Sequence, residues 1–162
     1  MKSKPRFFTP RIISEGTMRA QDVLSALLAE FDTIRVPKKD RARLRAARAA
    51  LQKYNADETD REAMEEWCAE IEEIAQEYCA PYTYYGSSEG DGACFGVWAS
   101  VESIEDDMRF GDLARVNDEG GPELEGEVVK AYSGLAAGVN DHGNVTLYSF
   151  TRGRARRVWS VV

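Results

Sequence analysis

The stretch from Gly86 to Trp98, GSSEGDGACFGVW, has the glycine content of a phosphate-binding loop. A dinucleotide fingerprint requires G-x-G-x-x-G between a strand and a helix, so that amides at the helix start meet the pyrophosphate. From Gly90 onward the spacing here is G-x-G-x-x-x-G, and the following ACFGVWA is typical of a strand. Glu89 and Asp91 also place negative charge where a phosphate would lie. We therefore predict a glycine-bearing hairpin at this stretch.

The other residue types that commonly do chemistry are scattered along the chain. The single histidine, His142, lies in the apparent turn NDHGN, where we expect it to be solvated. Cys68, Cys79 and Cys94 have no zinc-ligand spacing, and nothing in the local sequence orders Ser, Asp and His into a pair of nucleophile and base. The acids of Glu105–Asp107 follow a helix start and are typical of a solvated helix face. We therefore expect no enzyme activity, no cofactor and no metal.

Three helices are predicted in the first half of the chain, because apolar residues recur there at spacings of three and four. They span about 18–32, 39–54 and 60–79. Pro37 separates the first two, and Thr59 with Glu62 has the form of a capping box at the start of the third. The third helix has the clearest apolar stripe: Met64, Trp67, Cys68, Ile71, Ile74, Ala75 and Tyr78.

Beyond Ala80 the pattern changes to short aromatic or β-branched runs separated by Gly, Asn, Asp and Ser, which is typical of strands. The predicted strands are YTYYG, ACFGVWA, DLARV, EVVKAY, NVTLYSF and RARRVWSVV. One short helix over about 101–109, capped by Ser100, interrupts them. Gly143 and Gly153 are expected in hairpin turns, since glycine supplies the positive φ that such turns need.

These elements predict a single α+β domain over residues 1–162, with helices packed on a C-terminal antiparallel sheet of about residues 82–161. Residues 1–14 are expected to form an extended arm, residues 15–80 the helical part, and residues 81–162 the sheet part. A chain of 162 residues is long enough to bury a core without a disulfide or metal.

The composition narrows the classes of partner. The formal net charge of −7 repels nucleic acid and anionic membranes, so we expect neither as a partner. No apolar run approaches the roughly 20 residues that a bilayer-spanning helix needs. An odd number of cysteines without a signal-peptide pattern favours the cytoplasm.

Basic charge is concentrated in one segment, Arg35–Arg48, where Asp40 is the single acid. If that helix faces solvent, Arg41, Arg45 and Arg48 share one face and provide candidate phosphate contacts of a DNA-binding regulator. The next helix is rich in glutamate, however, and two helices joined by a short turn pack antiparallel. We therefore expect the acidic helix to neutralise most of the basic one.

The acidic surface is itself a candidate site for a basic partner protein, by electrostatic complementarity. It would draw on the third helix and on the polar loop from Asn117 to Gly126. Its candidate partner-binding residues are Glu66, Glu70, Glu73, Asp118, Glu119 and Glu123.

A third alternative is a small-molecule or nucleotide pocket under the glycine-bearing hairpin. Its candidate lining is aromatic: Tyr84, Tyr85, Phe95 and Trp98. Aromatic residues at alternate strand positions more often belong to a core than to a pocket, so this alternative ranks below protein binding.

Several stretches of the chain resemble a group of small proteins of bacteriophages and mobile elements. They are EGDGACFGVW, VNDHGNVTLY and the terminal VWSVV, together with RIISEGTMRAQDVLSALLAEF near the start. The resemblance carries no catalytic motif with it. It implies an accessory protein in the host cytoplasm that binds and inhibits a host protein, such as an anti-CRISPR or anti-restriction protein.

Overall fold

The computed structural model describes residues 5–54, 58–117, 123–124 and 132–161. Its helices in these ranges are α1 (Ala20–Phe31), α2 (Lys38–Gln52), α3 (Glu58–Glu77) and α4 (Val101–Phe110). Its strands are β1 (Arg11–Ser14), β2 (Thr83–Ser88), β3 (Asp91–Ala99), β4 (Ala114–Asn117), β5 (Glu123–Leu124), β6 (Gly134–Val139), β7 (Val145–Thr151) and β8 (Arg154–Val161). The predicted α+β class is confirmed.

The strands differ from the predicted single antiparallel sheet in two details. They form two sheets, ordered β1-β3-β2 and β5-β4-β6-β7-β8, and the expected arm contributes the edge strand of the first. In the second sheet β4 pairs with β6 in parallel, while its other pairs are antiparallel. The sequence pattern marks strands but carries no signal for this non-local pairing.

Two compact units divide the chain, Met1–Trp98 and Ala99–Val162. In the first unit, α1, α2 and α3 each contact the other two helices, and α3 also contacts β2. Because the division follows Trp98, the hairpin of β2 and β3 belongs to the helical unit. The turn between these strands contains Gly90 at φ 86°, so the prediction of a strand, turn and strand at this stretch is confirmed.

The N-terminal arm is part of the core of the first unit. Phe8 is fully buried, and its ring meets that of Phe31 edge-on at 5.1 Å. Backbone hydrogen bonds anchor it on both sides: the Phe8 amide donates to the Tyr78 carbonyl (2.7 Å), and the Ala80 amide donates to the Phe8 carbonyl (2.9 Å). The arm therefore joins the end of α3 to the rest of the unit.

A buried polar contact joins α2 to the end of α3. The Tyr78 hydroxyl donates to Asp40 Oδ2 at 2.5 Å, and both residues are buried. Burial, followed by this hydrogen bond, raises the pKa of Tyr78. The protonated phenol is thus the form that the folded unit favours.

The second unit begins with α4 and continues into the larger sheet. Ser100 precedes α4 as predicted, but its hydroxyl contacts that of Ser103 (2.7 Å) and makes no capping bond to the backbone. Arg152 and Gly153 both have positive φ, 49° and 74°, and turn β7 into β8. Gly143, at φ 79°, lies in the turn between β6 and β7, so both predicted hairpin turns are confirmed.

Candidate functional site

The charges of α2 and α3 are paired in part, as the sequence predicts. Arg43 Nε lies 3.2 Å from Glu70 Oε1, and Lys39 Nζ lies 3.1 Å from Glu77 Oε2. Each pair is substantially exposed, so it contributes little to stability. Their effect on the electrostatic field is more important, because they neutralise two of the acids of α3.

Three other exposed acids of α3 form what we call the acidic row: Glu62, Glu66 and Glu73. All three are exposed, and they lie four and seven residues apart, so they share one helix face. Within the described residues, no ion pair is formed by any of them. Glu62 and Glu66 have the four-residue spacing at which like charges destabilise a helix by about 0.2–0.5 kcal/mol. The acidic row is therefore a surface that helix stability alone does not favour.

The acids named from sequence do not all belong to this surface. Glu66 and Glu73 are in the acidic row, whereas Glu70 is paired with Arg43. Asp118 and Glu119 lie outside the described residues, and Glu123 is described only as part of the backbone of β5. Glu62 takes the place of Glu70 in the acidic row, and its position one helical turn before Glu66 was the signal for it.

A concave basic surface lies between α2 and the segment that precedes it, and we call it the basic groove. The groove has a volume of about 560 Å³, with cationic side chains from both the segment and the helix. Its lining residues are Phe31, Asp32, Ile34, Arg35, Val36, Lys38, Arg41, Leu44, Arg45 and Arg48. A second cavity of about 450 Å³ shares Arg35, Val36, Lys38 and Arg41 with it and adds Arg6.

Two guanidinium groups of the basic groove are held by the backbone. Arg48 Nη2 donates to the Leu28 carbonyl (2.6 Å) and to Asp32 Oδ1 (2.9 Å). Arg41 Nε donates to the Val36 carbonyl (2.9 Å). The candidate phosphate contacts Arg41, Arg45 and Arg48 are thus all brought to one groove. The sequence placed Arg35 and Lys38 in the basic segment but not among the phosphate contacts, and it missed Arg6, because it did not place the segments before α2 against that helix.

The aromatic set proposed for a ligand pocket has structural roles. Tyr85 is buried in the core of the first unit, and Phe95 packs against that core. Trp98 Nε1 donates to the Gly86 carbonyl (2.9 Å) and links β3 to β2. Tyr84 alternates with Tyr85 along β2 and is half-buried. Core packing therefore explains the positions of Tyr85 and Phe95, and the cross-strand hydrogen bond explains that of Trp98.

The interior of the first unit contains a group of titratable side chains. The Cys68 thiol donates to Glu72 Oε1 at 3.7 Å. Burial, followed by the charge of Glu72, raises the pKa of Cys68 to about 12, and burial raises the pKa of Cys79 to about 11. Burial also raises the pKa of Glu72 and that of Tyr85, whose buried hydroxyl has no partner among the described residues. Both thiols are therefore protonated at neutral pH, the form that is not nucleophilic.

We expect Cys68 and Cys79 to resist a thiol-reactive disulfide reagent at neutral pH while the protein is folded. The reason is that the thiolate is the reacting form and burial disfavours it. The measurement is the rate of thiol release, followed by absorbance, with and without denaturant. All three cysteines, which are free, should react in denaturant. Rapid reaction of Cys68 or Cys79 in the folded protein would contradict their assigned environment.

Other candidate chemistry is not assembled into a site in the described part of the chain. His142 is exposed in its turn, where its amide donates to Asn140 Oδ1 (3.0 Å). No group of three or more His, Cys, Asp or Glu side chains in the described ranges could hold a metal ion. Of the described helices, none combines the length and apolar character needed to cross a membrane.

In comparisons with known proteins, no protein-family model, curated protein or solved structure matches the chain. The relationship to phage and mobile-element proteins that the sequence stretches suggest therefore stays a prediction, and the function must be argued from the acidic row and the basic groove.

Proposed function

We propose that the protein is a non-enzymatic accessory protein of a phage or mobile element that binds and inhibits a host protein, such as a component of a defence complex. The acidic row is the proposed docking surface, and a basic surface of the host protein is its proposed counterpart. The phage or mobile-element context comes from the sequence resemblance alone. The charge and exposure of the acidic row support its assignment as the docking surface.

The observation that carries this proposal is the unequal neutralisation of α3. Glu70 and Glu77 have cationic partners on α2, but the acidic row has none among the described residues. Arg43 and Lys39 are paired with Glu70 and Glu77, which lie one helical turn after Glu66 and Glu73 respectively. A partner that brings lysines or arginines to Glu62, Glu66 and Glu73 would remove their mutual repulsion. It would also gain association rate from the overall negative charge of the chain.

The chemistry of the buried cysteines and of the single histidine agrees with a binding role. Cys68 and Cys79 are protonated at neutral pH because burial raises the pKa of each thiol. His142 lies in an exposed turn where its side chain contacts Asp141 at 3.6 Å. These groups are thus unsuited to be the thiolate and base of a nucleophilic site.

The test is a side-by-side affinity capture from host lysate with the wild-type chain and E62K/E66K/E73K as baits. We expect a host protein that the wild type retains and the charge-reversed variant loses, because three attractive contacts become repulsive. The matched control is E89K/E105K/D141K, which reverses three exposed acids outside α3 and should retain the same protein. Equal retention by both variants would place the binding surface elsewhere. Equal loss would indicate a dependence on total charge.

A further inference from the structure

The basic groove places several cationic side chains at the start of a helix. α2 begins at Lys38, and its N-cap residue is Pro37, which makes no side-chain capping bond. The first turn of a helix carries unsatisfied amides and partial positive charge, so anions are favourable there and cations are unfavourable. Asp40 is the one acid of this first turn and accepts a hydrogen bond from Tyr78, whereas Arg35, Lys38 and Arg41 add cationic charge at the same positive end. Such a local conflict with helix stability is typical of a functional site.

Unfavourable contacts between like charges continue along the helix beyond its first turn. Arg41, Arg45 and Arg48 line the same groove and recur once per turn, so neighbouring charges repel one another. Asp32 contacts Arg48 at 2.9 Å, and it is the single acid among the lining residues of this groove. The local charge is strongly positive in a chain whose formal net charge is −7.

The side chains are positioned to accept a ligand. Arg41 and Arg48 are each held by a backbone carbonyl, which fixes the guanidinium before a ligand arrives. A guanidinium has five N–H donors in a planar fork, so one or two internal bonds leave further donors for an oxyanion. Arg45 is exposed on the helix turn between them. Preorganised donors reduce the ordering cost of binding.

We propose that the basic groove binds a small ligand that contains two or more linked phosphate groups. Its volume of about 560 Å³ lies within the range of small-ligand sites, about 300–1,000 Å³. Arg41 and Arg48 lie seven residues apart, about 10 Å along the helix axis, a span that linked phosphates cover better than a single one. The apolar lining residues Phe31, Ile34, Val36 and Leu44 are each no more than 8% exposed, and five cationic residues line the groove beside them.

A small ligand fits these observations better than a nucleic acid. The net charge of −7 repels a long polyanion, whereas a short one meets only the local field of the groove. A nucleoside polyphosphate and inorganic polyphosphate share the required chemistry. This inference is independent of the proposed docking of a host protein at the acidic row.

The test is calorimetric titration of the full chain with inorganic tripolyphosphate, ATP, orthophosphate and a single-stranded oligonucleotide in about 50 mM salt. We expect tripolyphosphate and ATP to bind and orthophosphate to bind at least about tenfold more weakly, since it can bridge fewer cations. Tighter binding of ATP than of tripolyphosphate would assign the nucleotide as the ligand. Equal affinities would assign the phosphate chain alone.

The variants that locate this binding are R45A and R35A, whose side chains line the groove on the surface. Each should weaken tripolyphosphate binding about tenfold or more, the effect of losing a charge-assisted hydrogen bond. K53A is the matched control, because Lys53 is an exposed cation just after α2 that does not line the groove. The proposal is overturned if neither polyphosphate binds, if K53A weakens binding as much as R45A, or if the oligonucleotide binds the groove more tightly than both polyphosphates.

Discussion

Replacement of Phe8 with alanine is expected to lower the free energy of unfolding by about 3–5 kcal/mol. The Phe8 side chain is fully buried and packs edge-on against Phe31, which in turn packs edge-on against Tyr78 at 5.8 Å. Alanine would leave a cavity at the point where the N-terminal arm, α1 and the end of α3 meet. Because the free energy of unfolding of a whole domain is only about 5–15 kcal/mol, this loss would be a large fraction of the total.

The measurement for Phe8 is a chemical denaturation curve followed by circular dichroism. Phe7→Ala is the matched control, since Phe7 is the adjacent residue and its side chain is 37% exposed. Its ring contacts the Arg6 guanidinium at 5.4 Å, so its removal should cost no more than about 1 kcal/mol. Equal destabilisation by the two variants would mean that the arm is not packed in the core as described.

Replacement of Gly96 with valine is expected to detach β1 from β3 and to cost about 1–3 kcal/mol or more. A Cβ atom at Gly96 would lie 2.4 Å from the Arg11 carbonyl oxygen and 3.1 Å from the Ile12 Cα. Both are backbone atoms of the paired strand, so they cannot move aside as a flexible side chain would. Gly96 is thus required for the close approach of two strands.

The same denaturation measurement, with hydrogen exchange of the β1 amides, tests this requirement. Gly92→Ala is the control within the same strand, because a Cβ there meets nothing within 4 Å. It should change stability by no more than about 0.5 kcal/mol. Slow β1 exchange and unchanged stability in Gly96→Val would contradict the strand pairing.

The sequence predicts much of the fold because most of its elements have a local signature. The apolar stripes of α1, α2 and α3 recur at helical spacing, and α4 and the two turns at Gly143 and Gly153 also have local signals. The hairpin of β2 and β3 was predicted from its glycines and flanking strands. Each of these features depends on residues close together in the chain.

Features that depend on distant contacts were not predictable in the same way. The burial of Phe8 results from contacts with Phe31 and with the end of α3, and the parallel pairing of β4 and β6 joins strands separated by β5. For the surfaces, the sequence identified Glu66, Glu73, Arg41, Arg45 and Arg48. The neutralisation of Glu70 by Arg43 and the concave shape around the arginines required three-dimensional placement.

The central claim is that the acidic row binds a basic surface of a host protein, and the most direct test is an equilibrium dissociation constant. The partner identified by differential capture is purified and titrated with the wild type, E62K/E66K/E73K and the control E89K/E105K/D141K. We predict at least about tenfold weaker binding for the charge-reversed variant alone, equivalent to about 1.4 kcal/mol. The same dissociation constant for the wild type and E62K/E66K/E73K would contradict the claim.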